Sequence, residues 1–274
     1  MKHSFLILTH KPIDHIYRYA ELYQNAYFYV HVDKKSDISM IKRELAPANI
    51  VFVEDESRID ITWAGFSMVQ ATINLIQCAL KNKNTEASIY HLISGDDVFL
   101  KDLNTLQCDE NKIYMEYLDS PRHRYRTRFN TPHADTKHQR KVYGKALTIF
   151  YKLLDKLIPS KERCIFGSQW FSISSQHLKT LMGNLDQEFI ENYRYKLCPD
   201  EHFFQYLVKK ANLENYLSNE SNNRYIIFDP SYQHGSSPIF LNIDVLNEQR
   251  KSDKWFARKV ESHVISEFLS KSDK

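Results

Sequence analysis

The sequence predicts an α/β fold, with a mostly parallel central sheet flanked by helices. Three observations predict it. Short β-rich runs alternate with helix-patterned stretches through the first half of the chain. The residues that directly follow those runs are polar, as they are where such sheets bind ligands. Finally, 274 residues with 42% hydrophobic content suffice to bury one large core, so a single domain spanning 1–274 is the expectation.

The elements follow in order. SFLIL at 4–8 is the first strand, and a helix runs through about 13–24. AYFYVHV at 26–32 is the second strand, a helix lies near 37–45, and IVFVE at 50–54 is the third strand. After ITWAG, the positions Val69, Ile73, Ile76 and Leu80 recur at helical spacing. SIYHLI at 88–93 returns to strand, and KIYMEY adds another that ends near Tyr117. The stretch 119–144 is polar and crowded with Arg and His, a composition that predicts a long loop or flap rather than core. Helix resumes over about 145–158 and is followed by IFGSQWFSIS. Pro199 then suits the first position of a helix whose buried face carries Phe203, Phe204, Leu207 and Val208. That reading puts Asp200 and Glu201 in its first turn, where acidic side chains complement the helix dipole.

Composition excludes several classes. With 37 Lys and Arg against 34 Asp and Glu, the net charge of +3 does not argue for a nucleic-acid partner. No apolar run approaches the roughly 18 residues of a membrane span. Cys78, Cys108, Cys164 and Cys198 form no CxxC and have no zinc-type spacing, which predicts reduced, packed thiols and suits a cytoplasmic location. No GxGxxG follows a strand and no GxxxxGK[ST] occurs, so a Gly-rich phosphate cradle is absent. An anionic phosphate would have to be met by side chains such as Arg224, Arg258 and Lys259.

The strand exits are Thr9 and His10, HVDKKSD, EDESR and SGDDVFLK. An Asp after a strand serves equally well as a turn residue or helix cap, but four polar exits exceed what capping requires. Taken in order, ILTHK, HVDKKSD, ITWAGFSMVQA, HLISGDDVFLK, FGSQWFSIS, PDEHFFQYL, NNRYIIF and FARKV resemble the core-2/I-branching glycosyltransferases, a family that includes peptide O-xylosyltransferases and bacterial members. The resemblance runs from about residue 5 to 260 and rests on the number and order of the motifs.

It implies a GT-A-like nucleotide-sugar-binding fold and inverting transfer from a UDP-sugar to an acceptor hydroxyl without a metal ion or other cofactor. No Asp-x-Asp triplet occurs, which fits. By the resemblance, Glu201 is the catalytic base, and Arg258 and Lys259, helped by Arg224, hold the diphosphate. His10, Asp33, Thr62 and Trp63 fall on the nucleotide side, while Asp97, Ser168, Trp170 and Asp200 fall beside the donor and acceptor sugars. Phe99 stands where the family's Ser-Gly-x-Asp-x-Pro pattern has Pro, which weakens the transfer of a role to Asp97. Residues 1–118 then form mainly the nucleotide half, 119–144 a basic loop on the acceptor side, and 145–274 the catalytic half with the diphosphate-binding tail.

The expected partners are a UDP-sugar, carrying N-acetylglucosamine or another hexose or pentose, and a glycan or lipid-linked saccharide acceptor. Similarity to bacterial members without a stem or anchor suggests surface-polysaccharide synthesis, with peripheral association at the inner face of an anionic membrane. Two other readings stay open from sequence: a glycan- or nucleotide-binding protein of the same fold without catalysis, and a metal-dependent enzyme using EDE at 54–56 or GDD at 95–97.

Overall fold

The computed structural model describes residues 1–82, 87–229 and 237–270. The first half contains β1 (His3–Thr9), α1 (Asp14–Leu22), β2 (Tyr27–Val32), β3 (Ile50–Phe52), α2 (Phe66–Lys81), β4 (Ile89–Ser94), β5 (Val98–Phe99), β6 (Ile113–Tyr114) and β7 (Leu118–Ser120). The second contains α3 (Arg124–Arg128), α4 (Val142–Leu157), β8 (Cys164–Phe166), β9 (Ser172–Ser174), α5 (Ser175–Gly183), α6 (Gln187–Tyr193), α7 (Phe203–Lys210), β10 (Arg224–Ile226), α8 (Ile243–Gln249), β11 (Phe256–Arg258) and α9 (Ser262–Ser270).

The main sheet has the order β3-β2-β1-β4-β9-β6. The pairs β1–β2, β1–β4 and β2–β3 are parallel, and β9 alone runs against its neighbours β4 and β6. This mostly parallel sheet with flanking helices is compatible with the expected GT-A-like fold. Its two faces bury separate cores because successive side chains alternate across a strand. Phe5 and Ile7 of β1 join Phe28 and Val30 on one face with Ile16 of α1 and Ile265 of α9. Leu6 and Leu8 join Tyr29 on the other, with Ile73 and Ile76 of α2 and Phe203 and Leu207 of α7. Each fully buried side chain of this size contributes on the order of 2 kcal/mol.

Two features place the site. The chain winds from β1 through β2 to β3 in one direction, and β4 lies on the other side of β1, so a crevice opens beyond the carboxyl ends of β1 and β4. A second sheet, β10-β11-β5, runs β11 parallel to β10 and antiparallel to β5, which carries Arg258 back to the segment following β4.

Four elements depart from the sequence expectation. The helix near 37–45 is two 3-10 turns, Ile38–Ile41 and Arg43–Leu45, separated by Lys42 in a left-handed conformation. The KIYMEY strand pairs with the sheet only at Ile113–Tyr114, which releases Glu116. The basic stretch is largely ordered as a 3-10 turn, α3, further turns and the start of α4. Lastly, Pro199–Glu201 is a 3-10 turn separate from α7. Between them His202 leaves helical geometry at φ −148°, with its ring buried and Nε2 hydrogen-bonded to the Leu197 carbonyl at 3.0 Å. Glu201 therefore does not stand in the first turn of α7. The four cysteines are free.

Candidate active site

A cleft of about 930 Å³ lies over the carboxyl ends of β1 and β4. Its floor is close-packed: a Cβ at Gly95 would meet Thr9 Oγ1 at 2.4 Å, so only glycine lets the two strand ends approach this closely. Thr9, His10 and Lys11 after β1, Asp33 after β2, and Ser94 to Asp96 after β4 all line it. Polar strand exits thus converge as expected, with one exception. Glu54 to Arg58 are not among the lining residues, and Asp55 instead accepts from Arg43 at 2.8 Å and from Arg58 at 3.2 Å.

The cationic side is built by β11. Arg258 Nε sits 3.5 Å from Asp97 Oδ1, and its guanidinium carbon lies 4.3 Å from the centre of the Trp170 ring. Asp97 is fully buried and accepts from Ser94 Oγ at 2.6 Å; burial pushes its pKa up, with Arg258 opposing. Asp97 therefore supports the cleft from beneath, anchoring Arg258. Lys259 reaches Asp96 Oδ2 at 3.8 Å, and Lys11 reaches Asp96 Oδ1 at 3.0 Å. Phe240 lies under both ammonium groups, 4.7 Å and 5.8 Å from its ring centre. Three cations therefore meet at one wall, and Lys11 and Asp96 had not been singled out in sequence, although both directly follow strands.

Arg224 does not fit the expected role of a free phosphate fork. Its Nη1 donates to Ser172 Oγ at 3.0 Å and to the Asn222 carbonyl, while Nη2 donates to the Leu92 and Phe171 carbonyls at 3.1 and 2.7 Å. Nε is buried as well. A guanidinium so committed ties β4, β9 and β10 together at the wall of the cleft, where Arg224 is a lining residue whose Nη hydrogens are already donated within the protein. Trp170 lines the cleft but is largely buried, with Arg258 stacked on one face of its ring.

The acidic side is built by the turn before α7. Gly167 N donates to the Glu201 carbonyl at 2.8 Å, which fixes the backbone of Glu201 against the loop carrying Ser168. The Glu201 side chain is 42% exposed toward the cleft and pairs through Oε2 with Arg126 of α3. Beside it, burial raises the Asp200 carboxyl to about 7, the charge of Glu201 adding to the effect, and Oδ1 has no hydrogen-bond partner. A carboxyl in that environment holds its proton near neutrality, and Glu201 is the carboxyl of the two that is exposed to the cleft. Ser168 N donates to Glu116 Oε2 at 2.6 Å, so Glu116 also faces this side. The basic composition of 119–144 was legible, but nothing in it distinguished Arg126, and Glu116 was hidden inside an apparent strand.

The expected nucleotide side is partly assembled. Asp33 Oδ1 accepts from Lys35 N at 3.0 Å and Ile61 N at 3.3 Å, which joins the end of β2 to the segment before α2. Trp63 lines the cleft with the Arg140 guanidinium 4.0 Å from its ring centre. Thr62 stands behind it, its N–H donated to Ser67 Oγ at 2.8 Å. Burial lowers the His10 pKa, so its ring is neutral at pH 7. Among the described residues, the His, Cys, Asp or Glu side chains close enough to share a metal ion are His3, His91 and Cys108, and none of these lines the cleft.

The chain is similar to a protein of Ciona intestinalis named xylosyltransferase, with 25% identity over 278 residues that cover 92% of this chain and 31% of that protein. The chain thus spans about a third of the length of the curated relative it matches. The model of the Core-2/I-Branching enzymes matches residues 4–250, which leaves Arg258 and Lys259 of the cationic wall outside the match, and by that match the chain belongs to the Core-2/I-Branching enzyme family, a family of glycosyltransferases.

Proposed function

We propose that this protein is an inverting glycosyltransferase that moves a sugar from a UDP-sugar to a hydroxyl of a glycan or lipid-linked saccharide, and that it needs no metal ion. The observation that carries the proposal is one cleft holding both a half-exposed carboxylate, Glu201, and a wall of fixed cations, Lys11, Arg258 and Lys259. Glu201 takes the proton from the acceptor hydroxyl as that oxygen attacks the anomeric carbon. The bond from that carbon to the β-phosphate oxygen breaks, and UDP departs with the bonding electrons. Arg258 and Lys259 stabilise the charge that develops on the diphosphate, the part a bound metal would otherwise take. Arg126, already on Glu201, orients the carboxylate and leaves its remaining lone pairs for the proton.

N-acetylglucosamine or another hexose or pentose is the sugar, and the name of the Ciona relative keeps xylose among the candidates. Surface-polysaccharide synthesis is the setting this reading fits. The test is UDP release across a panel of UDP-sugars, with wild type and Glu201→Gln, in the presence and absence of excess chelator. The substitution keeps the shape but cannot take the proton, so turnover should fall by about 10²- to 10⁴-fold while UDP binding stays within a few fold. A variant with more than half the wild-type turnover removes Glu201 as base, and loss of wild-type activity in chelator removes the metal-free mechanism.

A further inference from the structure

α4 is amphipathic in the opposite sense from a core helix. Over Val142–Leu157 only Gly144 and Asp155 are buried. Val142, Ile149, Phe150, Leu153 and Leu157, which recur at three- and four-residue steps and so share one face, are exposed, Val142 by 85%, Leu157 by 78% and Phe150 by 54%. The polar side is the one that packs inward. Asp155 accepts from Arg124 Nε at 2.9 Å and from Arg128 Nη1 at 3.2 Å, and Thr148 Oγ1 lies 3.0 Å from His133 Nε2. At Gly144 a Cβ would meet the His138 carbonyl at 2.2 Å, so close approach of the backbone also pins this side down. The apolar face points outward because the contacts beneath it allow no other rotation.

Charge decides what covers that face. The exposed lysines Lys145, Lys152 and Lys156 run along one flank of it, Lys137 and Lys141 precede it in the chain, and the single acidic residue between 137 and 156 is Asp155, buried away from it. A second copy docked face to face would bring these lysines against their own equivalents. An anionic bilayer would instead take the apolar stripe among its acyl chains and the lysines among its headgroups, the combination that holds a helix in the plane of a membrane interface. We propose that α4 docks the protein on an anionic phospholipid surface. α3 lies between this helix and the site: Arg124 and Arg128 grip Asp155 of α4, and Arg126 from the same helix grips Glu201. A membrane beneath α4 therefore lies beside the acidic side of the cleft, where a lipid-linked acceptor would present its hydroxyl. That last consequence rests on the function proposed above; the docking does not.

The experiment is flotation of the intact protein with vesicles of phosphatidylcholine containing phosphatidylglycerol, and with vesicles of phosphatidylcholine alone. Several lysines near an anionic surface predict a partition at least about tenfold larger for the mixed vesicles, reduced by added salt. Phe150→Ser with Leu153→Ser should abolish binding to both. Lys145→Glu with Lys156→Glu, at exposed positions that leave the fold intact, should abolish the preference for phosphatidylglycerol. Absence of wild-type binding to mixed vesicles, or undiminished binding of the Phe150 and Leu153 double variant, overturns the proposal. So does a wild-type dimer in light scattering that this double variant dissociates without any vesicle binding, because the face then meets a second copy. No arm reads sugar transfer, so a failure here leaves the catalytic reading standing.

Discussion

The contact between Arg126 and Glu201 joins residues 75 positions apart and gives the candidate base a fixed orientation before substrate arrives. On the cationic wall the residues differ in how cleanly they can be tested. Removing Arg258 also strips buried Asp97 of its nearest cation, so binding and stability would change together. Lys259 carries no such burden, its partner Asp96 keeping Lys11 at 3.0 Å. Lys259→Ala should therefore weaken UDP binding by roughly 10- to 100-fold, the value of a charged hydrogen bond, with unfolding unchanged. Titration calorimetry with UDP measures it. Lys251 is the proper control because it is exposed outside the cleft, whereas Lys254 lines it. Equal, small effects at Lys259 and Lys251 would remove Lys259 from the diphosphate site.

At the scale of elements, the basic stretch taken for a loop is held by ion pairs that its composition did not announce. Arg124 makes four hydrogen bonds, two to the Asp155 carboxylate and one each to the Asp155 and Ser160 carbonyls. It thereby joins α3 to α4 around a carboxylate that is almost wholly shielded from water. Arg124→Ala should destabilise the protein by about 3 kcal/mol, since breaking a buried pair leaves a charge only partly compensated by Arg128. Arg122→Ala, at an exposed position, should change stability by less than about 0.5 kcal/mol. Urea unfolding of the two variants decides between an ordered strut and a solvated loop, and equal midpoints would favour the loop. The three arginines 122, 124 and 126 thus differ in setting: Arg122 is exposed, Arg124 is held on Asp155, and Arg126 is paired with Glu201.

Across the whole molecule, buried histidines set the response to acid. Burial lowers His3, His15 and His31 to about 4 and His202 to about 3. His31 Nε2 accepts the Ile59 N–H at 3.0 Å, a bond that protonation of that nitrogen would break. With folded pKa values below the unfolded value of about 6.5, the unfolded chain binds more protons between about pH 6.5 and 4. Stability is therefore present above that window and lost as pH falls through it, on the order of 2 kcal/mol per ring. Asp200, Asp97 and Asp135 oppose this, since burial raises their values and lets the folded chain hold extra protons. The urea midpoint should fall clearly from pH 7 to pH 5, and an unchanged midpoint would mean that these rings take up protons without unfolding.

Local pattern was enough for the α/β class and for where the first four main-sheet strands lie along the chain, because strand alternation and helical spacing act over a few residues. The cations of FARKV were legible as charges for the same reason. Which charges face the cleft was decided only by tertiary structure. Arg224 and Arg258 read alike in sequence, yet the first is consumed by the Leu92 and Phe171 carbonyls and the second is aimed by Asp97 and Trp170. The outward apolar face of α4 has the same origin: its periodicity is that of any amphipathic helix, and the sense in which it faces follows from Asp155 meeting arginines some 30 positions away. Hydrogen bonds and ion pairs between distant segments carry no short-range signature, because the partner that satisfies a polar group is chosen by where the chain folds back.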